Sequence, residues 1–420
     1  MRIKLPIFLL FFCLLATHIQ AQNYSLLLKG GHVIDPKNNI DEVMDIAVSG
    51  DSIARVAKNI SEAEAEKVVD ASGLYVTPGL IDIHSHNFHG TEPDAYLSNS
   101  FTALPPDGFT FRVGITTIVD VGGAGWKNFN TFKEQTIDQS KTRVLSFLNI
   151  VGSGMKGGPY EQNLNDMDGK MTGMMAQRYP EIVGVKVAHY AGPEWKPVEQ
   201  AVIAGEMANV PVMIDFGGHI PPLSLETLFM EKLRPGDIFT HTFAHVPGRI
   251  PVVDERGHVR PYVYEAQERG IIFDVGHGGG SFLFRQAIPA MKEGFRPNTI
   301  STDLHTGSMN AGMKDQLNIM SKFLNMEMSL AEVITASTWK PAQVIHREEL
   351  GHLSEGAIAD IAVFSLQEGE FGFIDSGGYR MDGTQKLQCE LTIRAGDVVY
   401  DLNGISRPYW IVENPNKAEE

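Results

Sequence analysis

Val76-Thr77-Pro78-Gly79-Leu80-Ile81-Asp82-Ile83-His84-Ser85-His86 decides how the rest of this chain is read. Pro78-Gly79 is a turn signal, and 80–83 is a short apolar run of strand type. Side chains two apart on a strand share a face, so His84 and His86 point the same way. Two imidazoles converging where a strand ends are how a protein begins a metal site, with nitrogen ligands about 2.0–2.1 Å from zinc. A bare His-x-His is equally well a pair of polar loop residues. What the later strands carry breaks the tie.

Downstream, from residue 78 to 340, strand-like runs alternate with helical stretches, the pattern of a parallel α/β fold. The runs are 80–83, 116–121, 144–150, 182–187, 210–214, 237–239, 271–275 and 299–302, with helix-compatible connectors at 126–141, 197–209, 281–293 and 313–328. Eight β/α units over roughly 260 residues predict a (β/α)8 TIM barrel, whose active sites lie at the C-terminal strand ends. Upstream, 22–77 reads as short strands broken by turns at Gly30-Gly31, 35–39 and Gly50-Asp51. Too few for a domain alone, these strands find similar pieces in 341–415, at 360–364, 387–393 and 397–400. The two chain ends are therefore expected to pair into one small β-sandwich.

Residues 1–21 differ in kind. A basic start at Arg2 and Lys4, an apolar run from Leu5 to Ala16 and small Ala21 read as a secretory signal peptide; the run is too short to span a bilayer. Export to a periplasm or the exterior is the expected address. Once this segment is removed, Cys389 is the one cysteine left of two, so no internal disulfide forms. A formal net charge of −16, made more negative by the loss of Arg2 and Lys4, argues against nucleic acid and anionic membranes as partners. With 43% hydrophobic and 20% charged residues over 420 positions, the chain has ample material for a large core. Its oligomeric state is left open, a homo-oligomer included.

The fourth run, Val183-Gly184-Val185-Lys186-Val187-Ala188-His189, places a lysine among apolar neighbours. Desolvation there disfavours the ammonium and depresses its pKa; the alternative is a lysine snorkelling from a strand end. The sixth run ends Thr240-His241 and the eighth Thr302-Asp303-Leu304-His305. Each residue alone reads as structural. His84, His86, Lys186, His241 and Asp303 on four strands of one barrel read as a set.

Those five positions resemble the metal-site pattern of the amidohydrolase superfamily, and more closely that of its dihydroorotase-like amidohydrolase/deacetylase metallohydrolases. The likeness extends through 79–86, Gly114-Ile115-Thr116-Thr117-Ile118-Val119-Asp120, Phe273-Asp274-Val275-Gly276-His277-Gly278, 300–305 and Gly356-Ala357-Ile358-Ala359-Asp360-Ile361-Ala362. It implies one or two Zn2+ ions (another divalent metal is also compatible) and a carboxylated Lys186 bridging them, with Asp303 as the proton carrier. His277, in the glycine-rich Gly276-His277-Gly278-Gly279-Gly280, reads as a substrate-side residue holding an acyl oxygen, or else as a cap on the following helix. The implied substrate is a small acylated molecule bearing a carboxylate, cleaved at an amide or ester. Cyclic amides, D-acyl amino acids and a catalytically silent binding relative are the alternatives.

Two departures stand out. Where family members carry a histidine ligand after the fifth strand, this chain has Asp215, a carboxylate able to ligate zinc at about 2.0–2.2 Å. His219, four residues on, is the alternative ligand, and weak holding of one metal is the third. Where the family tends to have an arginine after the fourth-strand lysine, this chain has Ala188, His189 and Tyr190. Altered recognition of the substrate's acid group follows from that change.

Overall fold

The structure is a computed structural model describing residues 23–90, 102–215 and 222–410. The expected signal segment and His219 lie outside the described residues. In chain order the strands are β1 (Leu26–Asp35), β2 (Ile40–Ser49), β3 (Ser52–Ala57), β4 (Val68–Asp70), β5 (Tyr75–Pro78), β6 (Leu80–Ser85), β7 (Ile115–Gly125), β8 (Arg143–Asn149), β9 (Ile182–Ala188), β10 (Val212–Asp215), β11 (Ile238–Phe239), β12 (Ile272–Phe273), β13 (Ile361–Ile374), β14 (Arg380–Arg394) and β15 (Asp397–Asp401).

Strands β6 to β12 form a seven-stranded parallel sheet in sequential order. Every residue of β6, β7, β9 and β10 is buried, as expected of strands covered on both faces. The eighth expected run is not a regular strand. It meets β12 through a parallel bridge at Asp274–Thr299 and β6 through another at Ser85–Leu304, so both edges of the sheet reach it. Its side chains are occupied instead: Thr299 and Ser301 donate to Asp274 at 2.6 and 2.8 Å, and the Thr302 hydroxyl donates to Asp82.

Local signals set the flanking helices. Asp168 caps Gly169–Arg178 by accepting from the Met171 N–H. The helix Lys196–Ala208 begins with Pro197 and ends at Asn209 in the left-handed region, φ 54°. Its buried Val198, Ala201 and Ala204 join the main apolar core.

β13 to β15 and β1 to β5 share one eight-stranded mixed sheet, with β5 seated between β1 and β13. Leu26, Leu28, Val33, Ile46 and Val76 from one end pack in one apolar cluster with Ile361, Val363, Leu391 and Ile393 from the other. Burying each such side chain contributes about 1.5–3 kcal/mol, and that burial holds the ends together. Two expectations need correction. Gly30-Gly31 is no turn: β1 runs through it with a register shift, because β2 on one side and β4 and β5 on the other keep it paired. The pieces expected at 360–364 and 387–393 are the bases of a much longer hairpin, β13–β14. Its tip reaches the loop after β12, where Ser376 N donates to the Phe282 carbonyl at 2.9 Å and Phe284 N to Asp375 at 3.0 Å. Among the described residues no helix is long and apolar enough to cross a membrane.

One glycine sets the packing beneath the site. A Cβ at Gly184 would lie 1.8 Å from the Phe147 ring, which is fully buried. Gly184→Ala is therefore expected to destabilise the chain by about 1–3 kcal/mol or more through overpacking. Denaturant unfolding checks this, and an unchanged midpoint would show the ring free to move.

Candidate active site

Strand periodicity carries Asp82 and His84 on one face of β6, and the chain turns just after His86. Asp120 of β7 makes that turn by accepting the N–H groups of Asn87, Phe88 and Gly123 at 2.6, 3.1 and 2.7 Å. Lys186 stands inside β9 with no exposed surface, and Asp215 closes β10. Three non-glycine residues at the strand ends adopt left-handed backbone: His189 (φ 52°), His241 (φ 56°) and Asp303 (φ 53°). Each such residue stores strain that only its surroundings sustain.

These residues converge. His86 Nε2 lies 2.9 Å and His84 Nε2 3.5 Å from Asp303 Oδ1. Lys186 Nζ is 3.4 Å from His84 Nε2 and 3.7 Å from Asp215 Oδ2. Asp215 Oδ2 is in turn 3.2 Å from His241 Nε2. Donor atoms of His84, His241 and Asp303 all fall within 4.8 Å of one another, and all three residues are buried. Lys186 thus stands between two overlapping donor groups, one of His84, His86 and Asp303, the other of Asp215 and His241, with His241 also within reach of the first. His305 Nε2 stands 3.8 Å from Asp303 Oδ2 at the rim.

The hydrogen bonds decide which ring nitrogens are free. Thr240 donates its hydroxyl to Asp274 at 2.7 Å and so accepts from His84 Nδ1 at 2.8 Å. His241 Nδ1 donates to the Gly276 carbonyl. Both rings therefore carry their proton at Nδ1 and present the Nε2 lone pair to the site, the arrangement typical of metal-ligating histidines. Among the described residues, His86 Nδ1 is buried without a partner. An N/O donor set of this kind fits a zinc-type divalent ion.

Electrostatics agree with an electron-donating pocket. Burial, then the Lys186 ammonium, pushes His84 down to about 3, which keeps it neutral. Burial also lowers the Lys186 amine, against the pull of Asp215, Asp303 and Asp274. Burial alone would raise Asp303 and Asp215. His84 and His86 facing the first, and His241 and Lys186 facing the second, hold both below the ordinary carboxylate range.

His277 needs correction. It has no exposed surface, its ring stacks on Phe282 at 4.4 Å, and its nitrogens are taken by Lys322 Nζ at 2.7 Å and the Gly278 carbonyl at 3.0 Å. It does not cap the following helix, whose N-cap is Leu283. Gly276 (φ 46°) and Gly278 (φ 56°) turn the loop so that its backbone, not the imidazole, lies against the site. A Cβ at Gly278 would sit 2.3 Å from Asp303 Oδ2.

Sequence reasoning missed several supporting residues. Asp82 shares the face of His84 and receives the Thr302 and His84 N–H groups at 3.1 Å; burial pushes its carboxyl up to about 7. The period-two reading that found His84 could have found it. Asp274 and Thr240, beneath His84, carry no such signal. Nor does buried Arg249, whose Nη2 donates to the Thr240 and His241 carbonyls at 2.8 and 3.2 Å. His189, with 47% of its side chain exposed, bonds Glu161 Oε2 through Nδ1 at 2.9 Å, while Nε2 stands 3.6 Å from Asp215 Oδ2.

Comparison with known proteins places this arrangement. The profile of the amidohydrolase family matches residues 284–399. A deacetylase of Brucella anthropi is 34% identical over 351 residues, 80% of this chain and 83% of the relative. The crystal structure of an adenine deaminase superposes with a TM-score of 0.79 at 27% identity, covering 90% of this chain and 100% of that one. That of a dihydroorotase superposes with a TM-score of 0.77 at 29% identity, covering 90% and 99%.

Proposed function

Because the chain belongs to the amidohydrolase superfamily and is a hydrolase of carbon–nitrogen bonds, we propose that it removes an acyl group from a small carboxylate-bearing amide or ester by means of a metal-activated water. The observation that carries this reading is the buried convergence of His84, His241 and Asp303, with His86 and Lys186 at 2.9 and 3.4 Å from members of that group.

His84, His86, Lys186, Asp215, His241 and Asp303 would hold one or two Zn2+ ions. A divalent metal so held supplies a water of pKa near ~7 and a Lewis acid for the scissile carbonyl. The chain's own groups do the rest. The Asp303 carboxylate takes the proton of the attacking water and returns it to the leaving nitrogen or alkoxide. Burial lowers the Lys186 amine and so favours the fraction that reacts with carbon dioxide: neutral Nζ would add to the carbon and release one proton, leaving an anionic carbamate between the two donor groups. Asp215 replaces a neutral imidazole by a carboxylate, and its placement 3.2 Å from His241 Nε2 favours that swap. The deacetylase relative supports acyl removal as the reaction.

The finer architecture belongs to the same reading: a closed (β/α)8 barrel over 78–340 and a sandwich from 22–77 with 341–415. So does export by a signal segment at 1–21. The test uses protein purified from its native host. Its metal content should be one or two equivalents of zinc, its first residue Gln22 or a near neighbour, and it should hydrolyse members of a panel of N-acetyl amino acids, acetylated hydroxy acids and cyclic imides. Absence of metal together with inactivity on the whole panel would defeat the enzymatic proposal. An intact Met1 would defeat export.

A further inference from the structure

Asp215 leaves the second donor group one imidazole short, and the structure holds a candidate on the neighbouring strand. His189 lies just beyond β9, and its backbone N–H donates to the Asp215 carbonyl at 3.1 Å, which binds the two strand ends together. We propose that His189, oriented by Glu161, is a metal-ligating residue that supplies the imidazole missing at position 215 and completes the second half of the centre with Asp215, His241 and Lys186. The inference rests on the metallohydrolase reading above and adds a residue to it.

Three observations carry it. The first is spacing. Around Asp215 Oδ2 stand His241 Nε2 at 3.2 Å, His189 Nε2 at 3.6 Å and Lys186 Nζ at 3.7 Å. The latter two are too far for good hydrogen bonds. The His189–Asp215 distance is near the separation of about 3.3 Å that two donors have when each sits about 2.0–2.1 Å from one tetrahedral zinc, and the space beside Lys186 Nζ is what its carbamate would fill.

The second is orientation. His189 Nδ1 donates to Glu161 Oε2 at 2.9 Å, which turns Nε2 toward Asp215 Oδ2 at 3.6 Å; against burial, these two carboxylates raise the imidazole to about 9, so a bound metal would take the place of the Nε2 proton. A carboxylate behind an imidazole in this way fixes tautomer and ring direction in ligating histidines. Glu161 is only 2% exposed beneath a half-exposed histidine. Burying a carboxylate is costly unless it is paired and hydrogen-bonded; the His189 imidazole is its partner, and its other oxygen accepts from the Gly157 N–H at 3.2 Å.

The third is the backbone. His189 is held at φ 52°, and the adjacent Gln162 clasps it there. The Gln162 amide donates to the His189 carbonyl at 2.8 Å and accepts from the Ala191 N–H at 2.9 Å. One loop thus fixes both the ring and the main chain of His189. A plain surface ion pair with Glu161 would require neither the left-handed backbone nor the clasp.

The deciding variant is His189→Gly, because glycine accepts a positive φ without strain. Zinc equivalents are counted after dialysis, affinity is measured by competition with a chelator, and the visible spectrum is recorded on the cobalt-loaded protein. The unfolding midpoint of the metal-free form checks the fold. The parent should hold two equivalents and His189→Gly about one, with added imidazole restoring the second; a parent that holds only one equivalent would overturn the inference. Glu161→Gln should keep both sites but weaken the second about 10–100-fold, the usual effect of losing such a partner, and it serves as the test should His189→Gly not fold. Two equivalents at parental affinity with an unchanged cobalt spectrum in His189→Gly would overturn the inference. So would loss of the second metal in His219→Ala but not in His189→Gly. A parent that binds no metal would overturn the metallohydrolase reading itself, a result distinct from either.

Discussion

Asp303→Asn is expected to lower turnover by about 10²–10⁴-fold, the range for losing a general acid–base group. The chain should stay folded and keep most of its metal, since asparagine still offers an oxygen at the same place. The prediction follows from position as much as residue type. Oδ1 lies 2.9 Å from His86 and 3.5 Å from His84, while Oδ2 is directed toward the rim, 3.8 Å from His305. The same neighbours hold its carboxyl below the ordinary range despite burial, so the group is present as the anion a general base must be. Steady-state kinetics with the best substrate of the panel checks this, alongside metal analysis. Turnover within a few-fold of the parent would exclude Asp303 as the proton carrier.

Lys186→Ala should remove both metal and activity. Lys186 has no exposed surface, and its Nζ is within 3.7 Å of both donor groups. A metal site stripped of an anionic ligand loses affinity. Short carboxylic acids added to the variant should restore part of the rate by occupying the space of the carbamate. Lys186→Met, which fills the volume of the stem, distinguishes loss of the ligand from collapse of a cavity; it should fold normally yet bind metal as poorly as the alanine variant. Normal metal content and rate in both would show Lys186 to be structural.

Much of this site was legible before any coordinates. His84, His86 and Lys186 lie on or just past strands, where the pleat alone sets the direction of a side chain; a period of two therefore locates them. His241 and Asp303 were found because strand ends of a parallel α/β sheet collect chemistry, although both turned out to sit in left-handed backbone that no local pattern announced. The apolar clusters of the terminal sheet were likewise readable as alternating strands at both chain ends. Their extension into the β13–β14 hairpin was not, because its outer half is polar and largely exposed and gives little apolar periodicity.

Residue types, strand faces and the placing of candidate ligands at strand ends were determined by the sequence itself, because main-chain geometry dictates them one strand at a time. Tertiary structure alone decided the direction of loop side chains and every pairing between distant segments. His277 illustrates the first: two glycines at positive φ turn its ring away toward Lys322. Glu161 with His189, and Asp274 beneath His84, illustrate the second, being 28 and 190 positions apart and brought together only when the sheet assembles. Such contacts depend on how loops close over a packed core, and a linear pattern of neighbours carries no record of that closure.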